Sequence, residues 1–477
     1  MWPGIRLTAP STERGMRVND VDNTPKPPFS QRTRTTRRDI LRTGGALAAG
    51  ALADPTIIRS SRSASAQGKT LSFWQFYAPG GQVATQGAWF TDMIKSWNDQ
   101  NDTKIELTYV PTADYVGGSK LQTSFASGQG PDIFLVSPGD FLRYANGGVL
   151  TDLTPYMDKA AIADYYPGVI ASRTVNGKVY GLPMEVEPMA MYYSLDAWDE
   201  VKLTEADVPK TWEQLLDVAK KLTTGDRFGV LFDTNPGYYQ NFTWYPFMWE
   251  GGGELVNPDG KTSGFRSDGA VQALKLWQDA VKNGVAPRKT LGNGGGDIVP
   301  NLASGYCAMQ NIGIWGISDL KVNAPDFRYG VFPLPVPANG KPSTDLGGWA
   351  FVANSKGADP ETAAKFCVWA LGSMSADSVQ RVVDWCTVAK SDMTPRQSVL
   401  QNPSVQKAFS EGPFKVFAEQ ILPTGRAEPR LPPEVYKAAS DAIQAAQLNG
   451  TDPAQAADTA AKQIEAFLAT YNGVPIL

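Results

Sequence analysis

The chain has 477 residues, of which 42% are hydrophobic and 10% aromatic, so its length allows two or three domains with full cores. Histidine is absent, which excludes Ser-His and Cys-His catalysis and every metal site that needs a histidine ligand. The sequence contains no apolar run of about 18–20 residues, so it predicts no transmembrane helix.

Charge is distributed unevenly along the chain. Residues 1–66 contain 11 Lys and Arg against 5 Asp and Glu, whereas residues 67–477 contain 33 against 43. The acidic main body has too little positive charge to neutralise phosphates, so we expect no nucleic-acid partner. The basic start of the chain therefore needs a different explanation.

Residues 36–42 resemble the twin-arginine export motif, with Arg37-Arg38 as the arginine pair and Ile40 and Arg42 in place of the usual Phe and Lys. A Gly/Ala-rich stretch follows, and Ala64-Ser65-Ala66 is an A-x-A cleavage site. We predict a signal peptide over residues 1–66, extended at its N-terminus. The alternative is a basic disordered tail.

The cysteines are few and lie late in the sequence. No cysteine precedes Cys307, so the predicted cleavage site offers no acceptor for a lipid anchor, and we expect a free periplasmic protein. Cys307, Cys367 and Cys386 allow at most one disulfide. We expect all three to be small buried apolar residues.

The first part of the mature chain alternates strand and helix patterns. Strands are predicted at 71–74, 105–110 and 132–136, with helical spacing over 86–98 and 115–125. This order predicts a parallel or mixed sheet covered by helices on both faces. A hairpin is expected around Asn176-Gly177.

A long extended stretch from Glu185 to Tyr193 separates this part from a second set of elements. The predicted elements that follow are a helix opened by the capping box Thr211–Gln214, a strand at 228–232, a helix capped by Ser267, strands at 329–332 and 349–353, and a final helix after Asp452-Pro453. The whole pattern predicts an α/β protein with two units.

Several segments, in order, resemble solute-binding protein family 1, the sugar-binding subunits of ABC importers. The segments that carry the resemblance are Ser127–Ile133, Tyr180–Pro183 with Met191–Ser194, Pro209–Glu213, Phe242–Trp244, and Ser304–Met309 with Gly313–Trp315. Together they span nearly all of residues 69–472.

The resemblance implies a periplasmic binding protein fold, in which two lobes, each a mixed β-sheet flanked by helices, close around a ligand by a hinge. Lobe 1 would comprise 67–184 plus 347–392, and lobe 2 would comprise 185–346 plus 393–477. The implied partners are a sugar or oligosaccharide and the membrane permease subunits of an ABC importer. We expect a monomer without a cofactor.

Flat aromatic faces that stack on sugar rings, with polar groups around them, are the side chains a sugar site requires. Candidate stacking residues are Trp74, Trp244, Trp315 and Trp349, although core packing is the alternative for each. Trp315 follows Gly313 at a position where the family commonly stacks a sugar ring.

The candidate polar residues of the site are Gln75, Ser137, Asp140, Glu187 and Asn241. Glu187 matches a family carboxylate that accepts hydrogen bonds from sugar hydroxyls, and ionised acceptors form the stronger bonds. Val136 and Asn241 stand where the family's maltose-binding members have aromatic residues, which argues against maltose as the ligand.

Two alternative functions stay open at this point. Glu185 and Glu187 lie two residues apart on an extended stretch and would suit a carbohydrate-active enzyme that uses paired carboxylates. The adjacent Tyr192 and Tyr193 invite comparison with ferric-ion binding proteins. A hinge is a poor platform for the first, and the family resemblance argues against the second.

Overall fold

The computed structural model of this chain describes residues 69–116 and 119–476, so the predicted export signal lies outside the described residues. The strands are β1 (Thr70–Gln75), β2 (Lys104–Tyr109), β3 (Ile133–Val136), β4 (Thr174–Val175), β5 (Lys178–Val179), β6 (Leu182–Pro183), β7 (Glu187–Ser194), β8 (Met309–Gly313), β9 (Tyr329–Phe332), β10 (Thr344–Gly347), β11 (Ala350–Ala353) and β12 (Gly425–Ala427).

Helices cover both sheets and form most of the last quarter of the chain. They are α1 (Ala84–Gln100), α2 (Thr112–Val116), α3 (Ser119–Ala126), α4 (Pro138–Asn146), α5 (Lys159–Asp164), α6 (Pro167–Ala171), α7 (Leu195–Glu200), α8 (Trp212–Leu222), α9 (Tyr238–Glu250), α10 (Asp268–Lys282), α11 (Gly316–Asn323), α12 (Pro360–Cys367), α13 (Ala376–Asp384), α14 (Gln397–Leu400), α15 (Pro403–Phe409), α16 (Gly412–Val416), α17 (Pro433–Gln447) and α18 (Pro453–Leu468). Among the residues that the structure describes, no helix combines the length and apolarity needed to cross a membrane.

The first sheet has the strand order β2-β1-β3-β11-β6. Strand β1 is parallel to β2 and β3, and β11 is antiparallel to β3 and β6. The buried rings of Phe73, Phe90, Phe351 and Trp385 pack against one another in the core beside this sheet. The predicted mixed sheet is therefore confirmed for the first lobe.

The second sheet is built around β7, every residue of which is buried. Its strand order is β12-β10-β7-β8, and β9 also pairs with β7. A separate core lies against it, in which Trp277 stacks on Phe232 at a ring distance of 4.8 Å. The α/β class with two lobes, each a mixed sheet flanked by helices, is confirmed.

Two segments connect the two sheets, and a third packs beside them. Residues 184–186 join β6 to β7, and residues 348–349 join β10 to β11. The Met184 amide donates to the Trp349 carbonyl over 2.9 Å, and Val186 and Met393 exchange two backbone hydrogen bonds. We call these segments, with residues 387–394 as the third, the crossings.

The helix caps and the hairpin turn predicted from short stretches of sequence agree with the structure. Thr211 and Gln214 form the predicted capping box at the start of α8, and Asn176-Gly177 connects β4 and β5. Ser267 and Asp452 cap α10 and α18 through their side chains. The three cysteines are unpaired and buried, as expected.

The predicted strand at residues 228–232 is wrong as a continuous strand. Phe228 and Leu231 form single parallel bridges to Cys307 and Gln310 of one segment, whereas the Val230 amide between them donates to the Val285 carbonyl. Gly229 lies so close to the Ala219 backbone that a Cβ atom there would overlap it. This close packing against α8 replaces a regular ladder with isolated bridges.

Candidate functional site

A buried ammonium group lies among three buried carboxylates at the crossings. The Nζ atom of Lys390 lies 3.4 Å from Glu185 and 3.2 Å from Asp392, and it also bonds to the Glu187 carboxylate. It donates to the Tyr77 hydroxyl oxygen over 3.2 Å. Each of the four charged side chains is less than a tenth exposed, so the ion pairs are poorly screened by water.

Glu185 joins this cluster to all three crossings. One of its carboxylate oxygens accepts a hydrogen bond from the Trp349 amide over 3.0 Å, and the other accepts one from the Trp385 indole. Glu185 itself belongs to the first crossing, Trp349 to the second and Lys390 to the third. The cluster therefore stabilises the packing of the three crossings against one another.

The protonation of these groups follows from burial and from their mutual attraction. Burial raises the pKa of Glu187 to about 7, although the attraction of Lys390 opposes this shift. Burial likewise raises the pKa of Asp392. Burial alone would lower the pKa of Lys390, but Asp392, Glu185 and Glu187 together raise it well above its usual value. Lys390 therefore stays charged, and Glu187 titrates near neutral pH.

The cluster does not have the form of a metal site. Oxygen atoms of Glu185, Glu187 and Asp392 lie within 4.8 Å of one another, which alone would suit a cation. The Lys390 ammonium contacts all three carboxylates and takes the position that a cation would need. The arrangement is an ion-pair network.

Tyr192 and Tyr193 do not share a ligand site either, because neighbouring residues of a strand point to opposite faces. The Tyr192 hydroxyl donates to the Gly313 carbonyl over 3.2 Å, whereas the Tyr193 ring packs on Trp198 at 4.6 Å. The structure therefore gives no support to a ferric site made of these two phenols.

Two predicted aromatic residues of the first lobe are half-buried. Trp74 lies near the end of β1, and the Lys120 ammonium lies 5.8 Å from its ring centroid. Trp349, in the second crossing, packs against Phe76 at 4.7 Å and Tyr115 at 6.2 Å. Each of these indoles keeps part of its surface exposed.

The predicted polar residues of the first lobe are already engaged. The buried Gln75 side chain accepts a hydrogen bond from the Tyr77 amide. Ser137 caps α4 by accepting from the Asp140 amide, and Asp140 pairs with Arg143 at 2.7 Å. Burial raises the pKa of Asp140.

In the second lobe Trp315 is half-buried at the start of α11, after the carboxyl end of β8. Its indole nitrogen donates to the Gly296 carbonyl over 3.3 Å, and its ring lies 6.1 Å from Tyr239 and 6.4 Å from Phe242. A Cβ atom at Gly313 would overlap the indole, so this glycine allows the ring to lie against the backbone.

This aromatic group lies beside the crossings. A Cβ atom at Gly347 would come within 2.6 Å of the Phe242 ring, and Gly347 is two residues before Trp349. The Glu187 carboxylate contributes to the raised pKa of Tyr239, after burial and Asp233. Half-buried aromatic side chains of both lobes thus lie near the buried carboxylates.

The structure does not bring Trp244 into this group. Trp244 is fully buried and stacks on Phe265 at 5.6 Å, so it is a core residue of the second lobe. Helix α9 is buried on almost every side, and its sequence alone does not show which face reaches the lobe boundary. Asn241 lies on this helix, is fully buried and donates to the Tyr436 carbonyl over 2.7 Å.

Residues without a local motif complete the site. Lys390 and Asp392 come from the third crossing, and Glu428 follows β12. Glu428 lies against Gly139 and Tyr238, since a Cβ atom at Gly139 would overlap both side chains. The only sequence signal for Tyr238 and Tyr239 is a tyrosine pair after Pro236-Gly237, at the start of a helix.

The sequence profile of the bacterial extracellular solute-binding proteins matches residues 80–376, which is more than half of the chain. The chain belongs to this family. A galactooligosaccharide-binding protein of Bacillus subtilis is 26% identical over 414 residues, covering 84% of this chain and 90% of the relative. An arabinooligosaccharide-binding protein of the same organism is 26% identical over 325 residues, covering 66% and 72%.

Solved structures of other solute-binding proteins share the fold. An ABC transporter solute-binding protein of Thermotoga lettingae bound to α-D-tagatose has a TM-score of 0.72 at 24% identity, covering 84% of this chain and 100% of that one. The cyclic α-maltosyl-1,6-maltose binding protein of Arthrobacter globiformis has a TM-score of 0.68 at 22% identity, covering 84% and 99%.

Proposed function

We propose that the protein captures a sugar or oligosaccharide between its two lobes and delivers it to the permease of an ABC importer. The observation that carries the proposal is the grouping of half-buried aromatic side chains, Trp349 from the second crossing and Trp315 and Tyr239 from the second lobe, near the Glu187 carboxylate. A pyranose is bound by aromatic faces that stack on its ring and by ionised acceptors that take hydrogen bonds from its hydroxyl groups. The oligosaccharide-binding relatives support this proposal.

The proposed lobes are residues 67–184 plus 347–392 and residues 185–346 plus 393–477. The two sheets support this division, because the strands on either side of residues 184–186 and of residues 348–349 belong to different sheets. The proposed ligand contacts are Trp74, Gln75, Ser137, Asp140, Glu187, Asn241, Trp315 and Trp349. Trp244 is left out because it lies in the core.

We further propose that the protein is a periplasmic monomer, exported folded by the twin-arginine route and cleaved after Ala66. The support is the arginine pair Arg37-Arg38, the Ala64–Ala66 site and membership of an extracellular family. We do not propose catalysis by Glu185 and Glu187, because Lys390 contacts both carboxylates and holds them in one network.

Native mass spectrometry of the protein isolated from periplasm tests the ligand class directly. We expect a bound mass equal to a whole number of sugar residues, lost on denaturation. Isothermal titration of the ligand-free protein with that saccharide should then give one site per chain. A bound mass that is not a saccharide, or Fe(III) binding with the visible absorption of a phenolate complex, would refute the proposal.

A further inference from the structure

A glycine-rich loop contacts two aromatic rings of the proposed site. This glycine loop, residues 292–297, has the sequence Gly-Asn-Gly-Gly-Gly-Asp. The Trp315 indole nitrogen donates to the Gly296 carbonyl over 3.3 Å, and a Cβ atom at Gly296 would lie 3.3 Å from the Tyr239 ring. The position of this one glycine therefore helps to decide where both rings are held.

The amides of the glycine loop are used inside the protein. A glycine-rich loop binds a phosphate when successive amides point outward. In this loop the Asn293 amide donates to the Asp297 carboxylate over 2.6 Å, and the Gly295 amide donates to the Asp233 carboxylate over 3.0 Å. These two amides are not available to an anion, so the role of the loop lies in what it supports.

One buried carboxylate oxygen holds the middle of the glycine loop. The Oδ1 atom of Asp233 accepts hydrogen bonds from the amides of Thr234 at 2.9 Å, Asn235 at 3.3 Å and Gly295 at 3.0 Å. The first two amides belong to its neighbours, whereas Gly295 lies 62 residues further along the chain. Burial raises the pKa of Asp233 to about 6, although the three amides oppose this shift. The carboxylate is therefore ionised at pH 7.5, where its hydrogen bonds are charge-assisted.

The peptide groups of Asp233 and Gly295 are fixed in turn by buried glutamines. The Asp233 carbonyl accepts from Gln240 of α9 and from Gln447 of α17, each over 3.1 Å. The Gly295 carbonyl accepts from Gln310 of β8 over 2.8 Å. The glycine loop is thus attached to two helices through Asp233 and to a strand through Gln310.

We propose that Asp233 is a positioning residue for ligand binding, whose carboxylate holds the glycine loop so that the Gly296 carbonyl fixes the Trp315 indole. The inference rests on the proposed function, because it takes Trp315 to be a ring on which a sugar stacks. Without the carboxylate three amides lose their acceptor, and the loop is free to leave the ring. A ring that is not held in advance must be ordered when the ligand binds, which costs affinity. Asp233 is buried, so we expect it to act through Trp315 and not to contact the sugar itself.

Calorimetry at pH 7.5 tests this route with the full-length mature protein. The probe is the saccharide that co-purifies or, if none does, galactotriose and arabinotriose, which represent the classes named for the two relatives. We expect Asp233→Ala to weaken binding about 10-fold or more, and Asp233→Asn, which keeps an Oδ1 acceptor, to stay within about 3-fold of the unmodified protein. In the Trp315→Ala background, Asp233→Ala should weaken binding by less than about 3-fold, because the ring through which it acts is gone.

A second variant disturbs the loop and leaves the carboxylate in place. A Cβ atom at Gly295 would lie 2.8 Å from the Asp233 Cβ atom, so Gly295→Ala should displace the loop and weaken binding as Asp233→Ala does. The matched control is Asp132, a buried aspartate of the first lobe that accepts from the amides of Ser72 at 2.8 Å and Ala358 at 2.6 Å. Asp132→Ala should lower the thermal midpoint and leave the affinity unchanged.

Nuclear magnetic resonance reports on the ring without any ligand. In protein labelled with ¹⁵N-tryptophan, the indole N–H cross-peak of Trp315 is the one that is missing from Trp315→Ala. We expect this cross-peak to shift in Asp233→Ala and in Gly295→Ala, because the hydrogen bond to the Gly296 carbonyl is disturbed. It should keep its position in Asp233→Asn and in Asp132→Ala.

The outcomes separate this inference from the proposed function. An unchanged affinity of Asp233→Ala with a lower thermal midpoint would make Asp233 a purely structural residue, and equal losses with and without Trp315 would show that it does not act through the ring. Either result overturns the inference and leaves sugar capture standing. If no saccharide binds the unmodified protein and none co-purifies, the proposed function fails, and an unchanged cross-peak would overturn the positioning role as well. If Asp233→Ala does not fold, the affinity and the cross-peak of Gly295→Ala decide.

Discussion

Replacing Lys390 by methionine should destabilise the protein strongly, because it removes the cation that contacts all three buried carboxylates at the crossings. The ammonium lies 3.4 Å from Glu185 and 3.2 Å from Asp392 and also bonds to Glu187, all in a buried setting. Methionine is similar in length but lacks the ammonium that contacts the three carboxylates. Removing one partner of a buried ion pair costs about 3–5 kcal/mol, so we expect a loss of this size at pH 7.5. Urea denaturation followed by tryptophan fluorescence measures it.

The loss of stability in Lys390→Met should depend on pH, because the carboxylates around residue 390 can take up protons. Without Lys390 the pKa values of Glu187 and Asp392, already raised by burial, can only rise further. The folded variant then binds protons that the unfolded chain does not bind until near pH 4.5, so acid stabilises the variant. The difference between Lys390→Met and the unmodified protein should therefore shrink from pH 8 to pH 5.

A matched control distinguishes the buried network from a surface charge. Lys365 forms an exposed ion pair with Glu361 one helical turn away, so Lys365→Met should leave the urea midpoint unchanged. A Lys390→Met protein as stable as the unmodified one at pH 7.5, or one destabilised more at pH 5 than at pH 8, would refute the reasoning.

Three further predictions concern the ligand, the lobe boundary and export. Trp315→Ala should weaken saccharide binding about 30-fold or more by calorimetry, since an aromatic anchor contributes about 2 kcal/mol. The control Trp369→Ala, which removes a half-buried indole packed on Trp97, should leave the affinity unchanged. Normal affinity with early melting of Trp315→Ala would make Trp315 a core residue. Burial raises the pKa of Glu428 to about 8, so the unmodified protein should lose stability as pH rises from about 4.5 to 8. At pH 8 the free energy of unfolding of Glu428→Gln, measured in urea, should exceed that of the unmodified protein by about 1–3 kcal/mol. A lower value for the variant at pH 8 would contradict this account. Arg37→Lys with Arg38→Lys should trap the precursor in the cytoplasm, as seen by immunoblotting of cell fractions; normal export of this variant would contradict the twin-arginine route.

Elements that depend on near neighbours could be predicted from the sequence. The helical spacing of Trp89, Phe90, Met93, Ile94 and Trp97 predicts α1, and all five are buried in the structure. The alternation of strand and helix patterns predicts the mixed sheet of the first lobe. By contrast, residues 228–232 have strand-like composition, but contacts with distant segments decide their backbone pairing.

The centre of the candidate site could not be predicted in the same way. Lys390 meets Glu185 and Glu187 across about 200 residues of sequence, and no spacing rule relates them. Glu428 meets Gly139 only because β12 and α4 approach at the lobe boundary. Trp244 illustrates the opposite error, because a tryptophan beside polar residues looks like a binding residue until the packing of α9 shows it in the core. The resemblance could indicate Glu187 and Trp315, whereas their partners depend on tertiary packing.

Small-angle X-ray scattering with and without the co-purified saccharide tests the central claim, capture between two lobes, most directly. Because the crossings can act as a hinge between the lobes, a ligand that both lobes contact should bring them together. We predict a smaller radius of gyration at saturating saccharide, a change absent from Trp315→Ala at the same ligand concentration. A radius of gyration that stays the same while calorimetry shows the site to be fully occupied would contradict the account.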